Sequence, residues 1–154
     1  MRLDQTELVR WGTRIGEMIT TPVLVGLSGP LGAGKSVLAR AIGAGVGVEG
    51  PMPSPSFTLL QRYAGSRGRH LVHLDLYRLD SPEELWELGW SQLLSDDEVV
   101  LVEWPEKAGP FLPPDRWIIE LATPGGEPLL RDVEVTRVGC PPALAAFPLS
   151  VSGL

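Results

Sequence analysis

Lys35 and Ser36 close the run Gly29-Pro30-Leu31-Gly32-Ala33-Gly34-Lys35-Ser36, and two acids, Asp75 and Glu103, each end an apolar stretch further along the chain. An ammonium, a hydroxyl and carboxylates, served by a loop with three glycines, form a set suited to phosphate chemistry. The run fits G-x-x-x-x-G-K-[ST], in which backbone N–H groups cradle phosphates while the lysine and hydroxyl reach the terminal phosphate and its magnesium. Gly29, Leu31, Gly32, Ala33, Gly34, Lys35 and Ser36 are therefore the candidate phosphate-binding residues. A glycine-rich turn that happens to carry a lysine is the competing reading in a chain with 18 glycines. The context argues against it. Val23, Leu24 and Val25 read as a buried strand, and Val37, Leu38, Ala41 and Ile42 recur at helical spacing, which gives the motif its strand-loop-helix setting.

Lys35 and Lys107 are the only two lysines, against eleven arginines. A compact ammonium on a thin stem fits between a loop and a phosphate chain where a guanidinium fork does not. Magnesium bound to a nucleotide also needs a carboxylate, commonly at the carboxyl edge of an α/β sheet. Asp75 ends "HLVHLD" and Glu103 ends "VVLVE", and their strand ends alone do not rank them for the metal. For either acid, an ion pair with an arginine such as Arg78 is the structural alternative. Their neighbours suggest different roles. Glu103, followed by Trp104 and Pro105, sits in a stiff, dry setting and is assigned magnesium together with Ser36; Asp75, with His73 and Arg78 nearby, is assigned the attacking water.

Ser54, Ser56 and Thr58 in "SPSFT" offer hydroxyls that would sense a γ-phosphate, although polar turn chemistry accounts for them equally well. The chain contains no asparagine, so the guanine-reading N-K-x-D pattern is impossible and adenine is favoured, as ATP or ADP. Thr6 is a weak candidate for the base pocket.

Around these residues the pattern predicts an α/β fold with a mixed parallel and antiparallel sheet. Leu8, Trp11, Ile15 and Ile19 share one face of a helix over residues 4 to 19, started by Asp4 or Thr6 and ended at Pro22. A strand over about 23 to 28 precedes the glycine loop, and the following helix is expected to fade in "GAGVGVEGP". "SPSFTLLQRY" and "RHLVHLDLYRL" read as an antiparallel hairpin. "DSPEELWELGW" reads as a helix with Ser81 as N-cap, Pro82 at the first position and a stop at Gly89. "DEVVLVEWP" is a strand buried on both faces, "EKAGPFLPPD" a loop, and "RWIIELA" and "RDVEVTR" a closing pair of strands. Residues 1 to 138 make one domain; 139 to 154, rich in proline and without a period, are expected to be an irregular or mobile tail.

Composition narrows the function further. With 154 residues, 44% hydrophobic and 21% charged, the chain suits one soluble domain. No apolar run reaches the roughly 18 residues of a membrane span, and no signal-peptide stretch opens the sequence, so the cytoplasm is expected and a membrane partner is not. Cys140 alone makes neither an intrachain disulfide nor a cysteine-rich zinc site. A net charge of −6 disfavours a broad grip on DNA or RNA. The one basic patch, "RYAGSRGRH", reads as a solvated hairpin loop.

"SGPLGAGKS", "SPSFTL", "HLDLYRL", "PEELWELG" and "LVEWPE", in this order, resemble the TsaE (YjeE-type) family of bacterial P-loop ATPases, over roughly residues 4 to 121. The combination with H-x-D-x-Y-R and V-E-W-P is what makes the resemblance specific. It implies a P-loop NTPase-like three-layer fold that binds and hydrolyses ATP with Mg2+. It also implies a part in threonylcarbamoylation of adenosine 37 of transfer RNAs reading codons that begin with A. The partners it implies are TsaB and TsaD, with tRNA met only through the complex. The resemblance places the phosphate loop on Gly29 to Ser36, the switch-like segment on Ser54 to Thr58, with Ser56 and Thr58 toward the nucleotide, and the catalytic set on Lys35, Asp75 and Glu103. Where the family usually has threonine, this chain has Ser36 and Ser56, which keep the hydroxyl and lose a methyl. The alternative from another class is a P-loop small-molecule kinase, which would need an acceptor pocket and commonly an arginine-bearing lid.

Overall fold

The computed structural model describes residues 1–53 and 60–146. Seven strands form one sheet: β1 (Arg2–Asp4), β2 (Val23–Ser28), β3 (Leu60–Ala64), β4 (His70–Asp75), β5 (Glu98–Glu103), β6 (Arg116–Ala122) and β7 (Leu130–Val138). Their spatial order is β1-β7-β6-β2-β5-β4-β3. The central strands β6, β2, β5 and β4 run parallel, while β1–β7, β6–β7 and β3–β4 pair antiparallel, so the sheet is mixed as expected. Alternation along the strands sorts the core into two layers. Val23, Val25, Leu27, Val99 and Leu101 face the two α-helices; Leu24, Val72, Leu74, Val100 and Val102 face a layer of 3₁₀ turns. β5 is buried along its whole length, as its apolar run predicts.

Helix α1 (Gln5–Met18) begins at Asp4, which accepts from the Glu7 N–H at 2.8 Å while the Asp4 N–H donates to Glu7 at 3.1 Å. This reciprocal pair closes the helix start. Helix α2 (Lys35–Val46) ends inside "GAGVGVEGP" as expected, at Gly47, after running through Gly43 and Gly45. Those glycines serve packing. A β-carbon on Gly45 would lie 2.1 Å from the Thr13 carbonyl, and one on Gly16 2.1 Å from that of Ile42, so α1 and α2 touch backbone to backbone.

Three readings need correction. Residues Pro82–Leu88 form a 3₁₀ segment rather than an α-helix; Ser81 gives it no side-chain cap, and Gly89 ends it as expected. "EKAGPF" is likewise 3₁₀ within Pro105–Phe111, interrupted by a kink at Gly109 (φ 55°, ψ −127°). The "RYAGSRGRH" patch is not simply solvated: Arg69 is buried and donates to the carbonyls of Gly16 (2.7 Å), Ile19 (3.1 Å), Val46 (3.2 Å) and Ser66 (3.3 Å), and Arg67 donates to that of Glu17. In the tail, residues 139–146 lack regular structure yet are held, because Trp11 Nε1 donates to Ala145 O (3.0 Å) and Trp117 Nε1 to Pro142 O (2.7 Å).

Candidate functional site

β2 delivers the chain to the carboxyl edge of the sheet, where residues 29–34 turn back into α2. Gly29 has φ +137°, and a β-carbon there would sit 2.2 Å from the Leu121 carbonyl, so no other residue fits beside β6. Ala33 N–H closes a turn on Pro30 O at 3.1 Å. Gly34 stands at the N-cap of α2 in the left-handed region and supplies no side chain to the first-turn N–H groups. The helix therefore begins with backbone donors and its positive dipole end turned to the loop.

Lys35 is buried, donating to Gly29 O and, at 3.1 Å, to Pro30 O. Its Nζ lies 4.0 Å from the centroid of the Trp104 ring. Burial pulls its pKa below the usual lysine value, against the opposing pull of Glu103, Asp75 and Glu106. The Trp104 ring reaches this position because its backbone adopts φ 60°, ψ 52°, an uncommon conformation for a bulky residue. Tyr77 packs on it with ring centroids 5.0 Å apart.

Register brings the acids together. β4 and β5 are parallel neighbours with Asp75 opposite Glu103, and β5 lies beside β2 with Glu103 opposite Leu27. Ser36 Oγ, on the first turn of α2, is 3.4 Å from Glu103 Oε1. The other carboxylate oxygen, Oε2, is 2.6 Å from His73 Nε2, and both side chains are almost fully buried. His73 thus serves Glu103 and not Asp75, contrary to the sequence reading, because it packs beneath the neighbouring strand's end. Arg78 is exposed and forms no ion pair with either acid among the described residues. Asp75 accepts from the Tyr77 N–H at 2.9 Å through Oδ1. Burial raises its pKa, the Tyr77 N–H opposes this, Glu103's charge raises it further, and His73 and Lys35 lower it.

These groups line a cleft of about 380 Å³ walled by the loop, Lys35, Ser36, Asp75, Glu103, Trp104 and Arg131. A larger hollow, about 450 Å³, flanks Gly29 and Pro30 on the other side, but Glu120, Asp132 and Glu134 line it and would repel a phosphate chain. Thr6 lines a third hollow of about 370 Å³ that shares Gly34, Val37 and Arg131 with the cleft. Ser54, Ser56 and Thr58 lie outside the described residues. Sequence reading missed three contributors: Trp104 as the ring under Lys35, His73 as the partner of Glu103, and Arg131. None belongs to the loop motif, and only the fold brings them to it.

A parallel central sheet, a glycine loop entering a helix, and lysine, hydroxyl and carboxylate meeting at that loop define a protein of the P-loop α/β class. Residues 3–128 match the model of the family described as Threonylcarbamoyl adenosine biosynthesis protein TsaE, and the chain belongs to that family. Among relatives named tRNA threonylcarbamoyladenosine biosynthesis protein TsaE, that of Haemophilus influenzae is 36% identical over 115 residues, covering 71% of this chain and 72% of its own. That of Nostoc sp. is 36% identical over 140 residues, 89% and 84% of the two chains. That of Mycobacterium tuberculosis is 45% identical over 102 residues, 62% and 61%. The crystal structure of Bacillus subtilus YdiB superimposes with a TM-score of 0.71 at 25% identity, over 90% of this chain and 84% of that one.

Proposed function

We propose that this chain binds ATP or ADP with magnesium and hydrolyses ATP in the cytoplasm as a subunit required for threonylcarbamoylation of adenosine 37 in tRNAs reading codons that begin with A. TsaB and TsaD are its partners, and tRNA is reached through them. The observation that carries the reading is the meeting of Lys35, Ser36 and Glu103 at the uncapped start of α2.

The residues suit the group. Gly29 admits no side chain where the loop passes β6, and the hydroxyl of Ser36 beside the carboxylate of Glu103 forms a pair of hard oxygen donors of the kind magnesium prefers. Ser36 and Glu103 would hold the ion, which neutralises phosphate charge when bound. Lys35 supplies a compact cation to the same phosphates, and the N–H groups at the start of α2 bind their oxygens. His73 fixes one oxygen of Glu103 and leaves the other toward Ser36. Asp75 Oδ1 is fixed by the Tyr77 N–H, while Oδ2 has no hydrogen bond among the described residues. Oδ2 is the atom suited to orient the attacking water and take its proton. The net charge of −6 accords with a role in which tRNA is handled by partners.

Phosphate release from ATP, measured for the chain alone and with TsaB and TsaD, tests the reading. Turnover is expected to be slow alone and to rise with the partners. Hydrolysis already at about 1 to 100 per second, indifferent to partners, would sink the subunit role. In the same assay Glu103→Gln should weaken magnesium-dependent nucleotide binding, whereas Asp75→Asn should keep binding and slow turnover by roughly 10²-fold. The reverse pattern exchanges the two roles.

A further inference from the structure

Arg131 is far from the loop in sequence but, among the described residues, gives it two hydrogen bonds from outside. On β7, opposite Leu3 of β1, it projects to the helical face of the sheet with Val133. Its Nε donates to Ala33 O at 2.9 Å and Nη2 to Gly32 O at 3.4 Å. Nη1 donates to Pro128 O (2.7 Å) and Leu130 O (2.8 Å), tying the guanidinium to its own strand. The nearby acids are taken by another cation: Arg2 pairs with Asp132 and Glu127, each at 2.9 Å. Among the described residues no carboxylate lies within 4.0 Å of Arg131.

We infer that Arg131 is a positioning residue for the phosphate loop, fixing the peptides of Gly32 and Ala33 from the cleft wall so that the loop's remaining donors face a nucleotide's phosphates. The peptide unit is planar and trans, so its C=O and N–H point in opposite directions. Holding Ala33 O toward Arg131 turns the Gly34 N–H away from it, and a charged donor on that carbonyl polarises the same peptide. The Ala33 N–H is committed to Pro30, so Gly34 is the loop N–H that this anchoring leaves for an anion. A flat fork is needed because two carbonyls and the strand are bridged at once; an ammonium is a single point.

This inference rests on the nucleotide reading above, and the test separates the two. Arg131→Met keeps the stem and removes the donors; Arg131→Lys keeps the charge and loses the fork. In the nucleotide-free protein, ¹⁵N order parameters of Gly32, Ala33 and Gly34 should fall in Arg131→Met from about 0.85 to below about 0.6, with α1 unchanged. Calorimetry with ADP and magnesium should show both variants binding about tenfold or more weakly than wild type. Unchanged order parameters overturn the inference, as does loosening with no loss of affinity. Wild-type affinity in Arg131→Lys overturns it too, since charge alone would then suffice. If wild type itself fails to bind ADP, the nucleotide reading falls and the order parameters alone decide the role of Arg131. Should Arg131→Met not fold, Arg131→Lys carries both measurements.

Discussion

The two ends of α2 are finished in opposite ways. At its carboxyl end Gly47 N–H bonds back to Gly43 and Ala44, and Val46 O receives three donors, from Ser66 N, Ser66 Oγ and Arg69. Arg69 also reaches Gly16 O and Ile19 O at the end of α1, so one guanidinium closes both helices. At the amino end Gly34 provides no cap, and Lys35, Ser36, Asp75 and Glu103 gather without a buried arginine among them. The contrast shows where one helix spends its polar groups. The end whose carbonyls are satisfied from within holds the fold together, and the end whose N–H groups are left open is available to an anion.

Mutations can break this division. The largest effect is expected at the closed end: Arg69→Met removes donors from buried carbonyls and should lower unfolding free energy by roughly 3 to 5 kcal/mol, read by urea titration. Nucleotide affinity measured well below the new melting temperature should stay at the wild-type value; a parallel loss would show that the two ends are not independent. Next, at the open end, Lys35→Ala should weaken ATP binding about 100-fold, about 2.8 kcal/mol, with the melting temperature nearly unchanged. Undiminished binding in a folded Lys35→Ala variant would remove the phosphate assignment.

The smallest effect sharpens the comparison. Because the Asp75 pKa is raised in the folded state, mainly by burial, its charged form costs stability at neutral pH. Below the ordinary aspartate value of about 3.9 the carboxyl is protonated in both states. There Asp75→Asn should match wild type. As pH rises through the raised native value, wild type loses stability relative to the variant, so Asp75→Asn should melt higher near neutrality by less than about 1 kcal/mol. Asparagine keeps the acceptor for Tyr77 N–H. Melting curves without magnesium and nucleotide check this, and a gain that persists at pH 3 would assign it to packing rather than charge.

What the sequence made legible follows the range of the interactions. The glycine loop is a local pattern, as are the apolar run of β4 and the alternating strand around Val133, and each was readable from neighbouring residues. Helix α1 showed its apolar face, but β1, three residues long, carries no period and is set only by β7. Pro82–Leu88 offered proline, acids and leucines that suit any short helix; its bonds from Glu84 N to Ser81 O and from Gly89 N to Trp86 O close tight turns that composition does not distinguish. Arg69, Arg131 and His73 act on groups 20 or more residues away, and an arginine bonded to carbonyls leaves no partner in the sequence to search for. The two strand-end acids were found because each ends an apolar run, and the register then places them side by side. Which one His73 serves was decided by packing.

The placement of β7 between β1 and β6 also sets a clock. During synthesis the glycine loop emerges about a hundred residues ahead of Arg131, and strand β1 must wait for Leu130–Asp132 before it has a partner. Parallel pairing of β2 with β5 and β6 is delayed in the same way, since those contacts span long stretches of chain. A nascent chain halted at residue 125 would carry the phosphate motif complete in sequence yet unsupported in space. The loop is thus written early in the chain, while the strand that bears its Arg131 contact comes late.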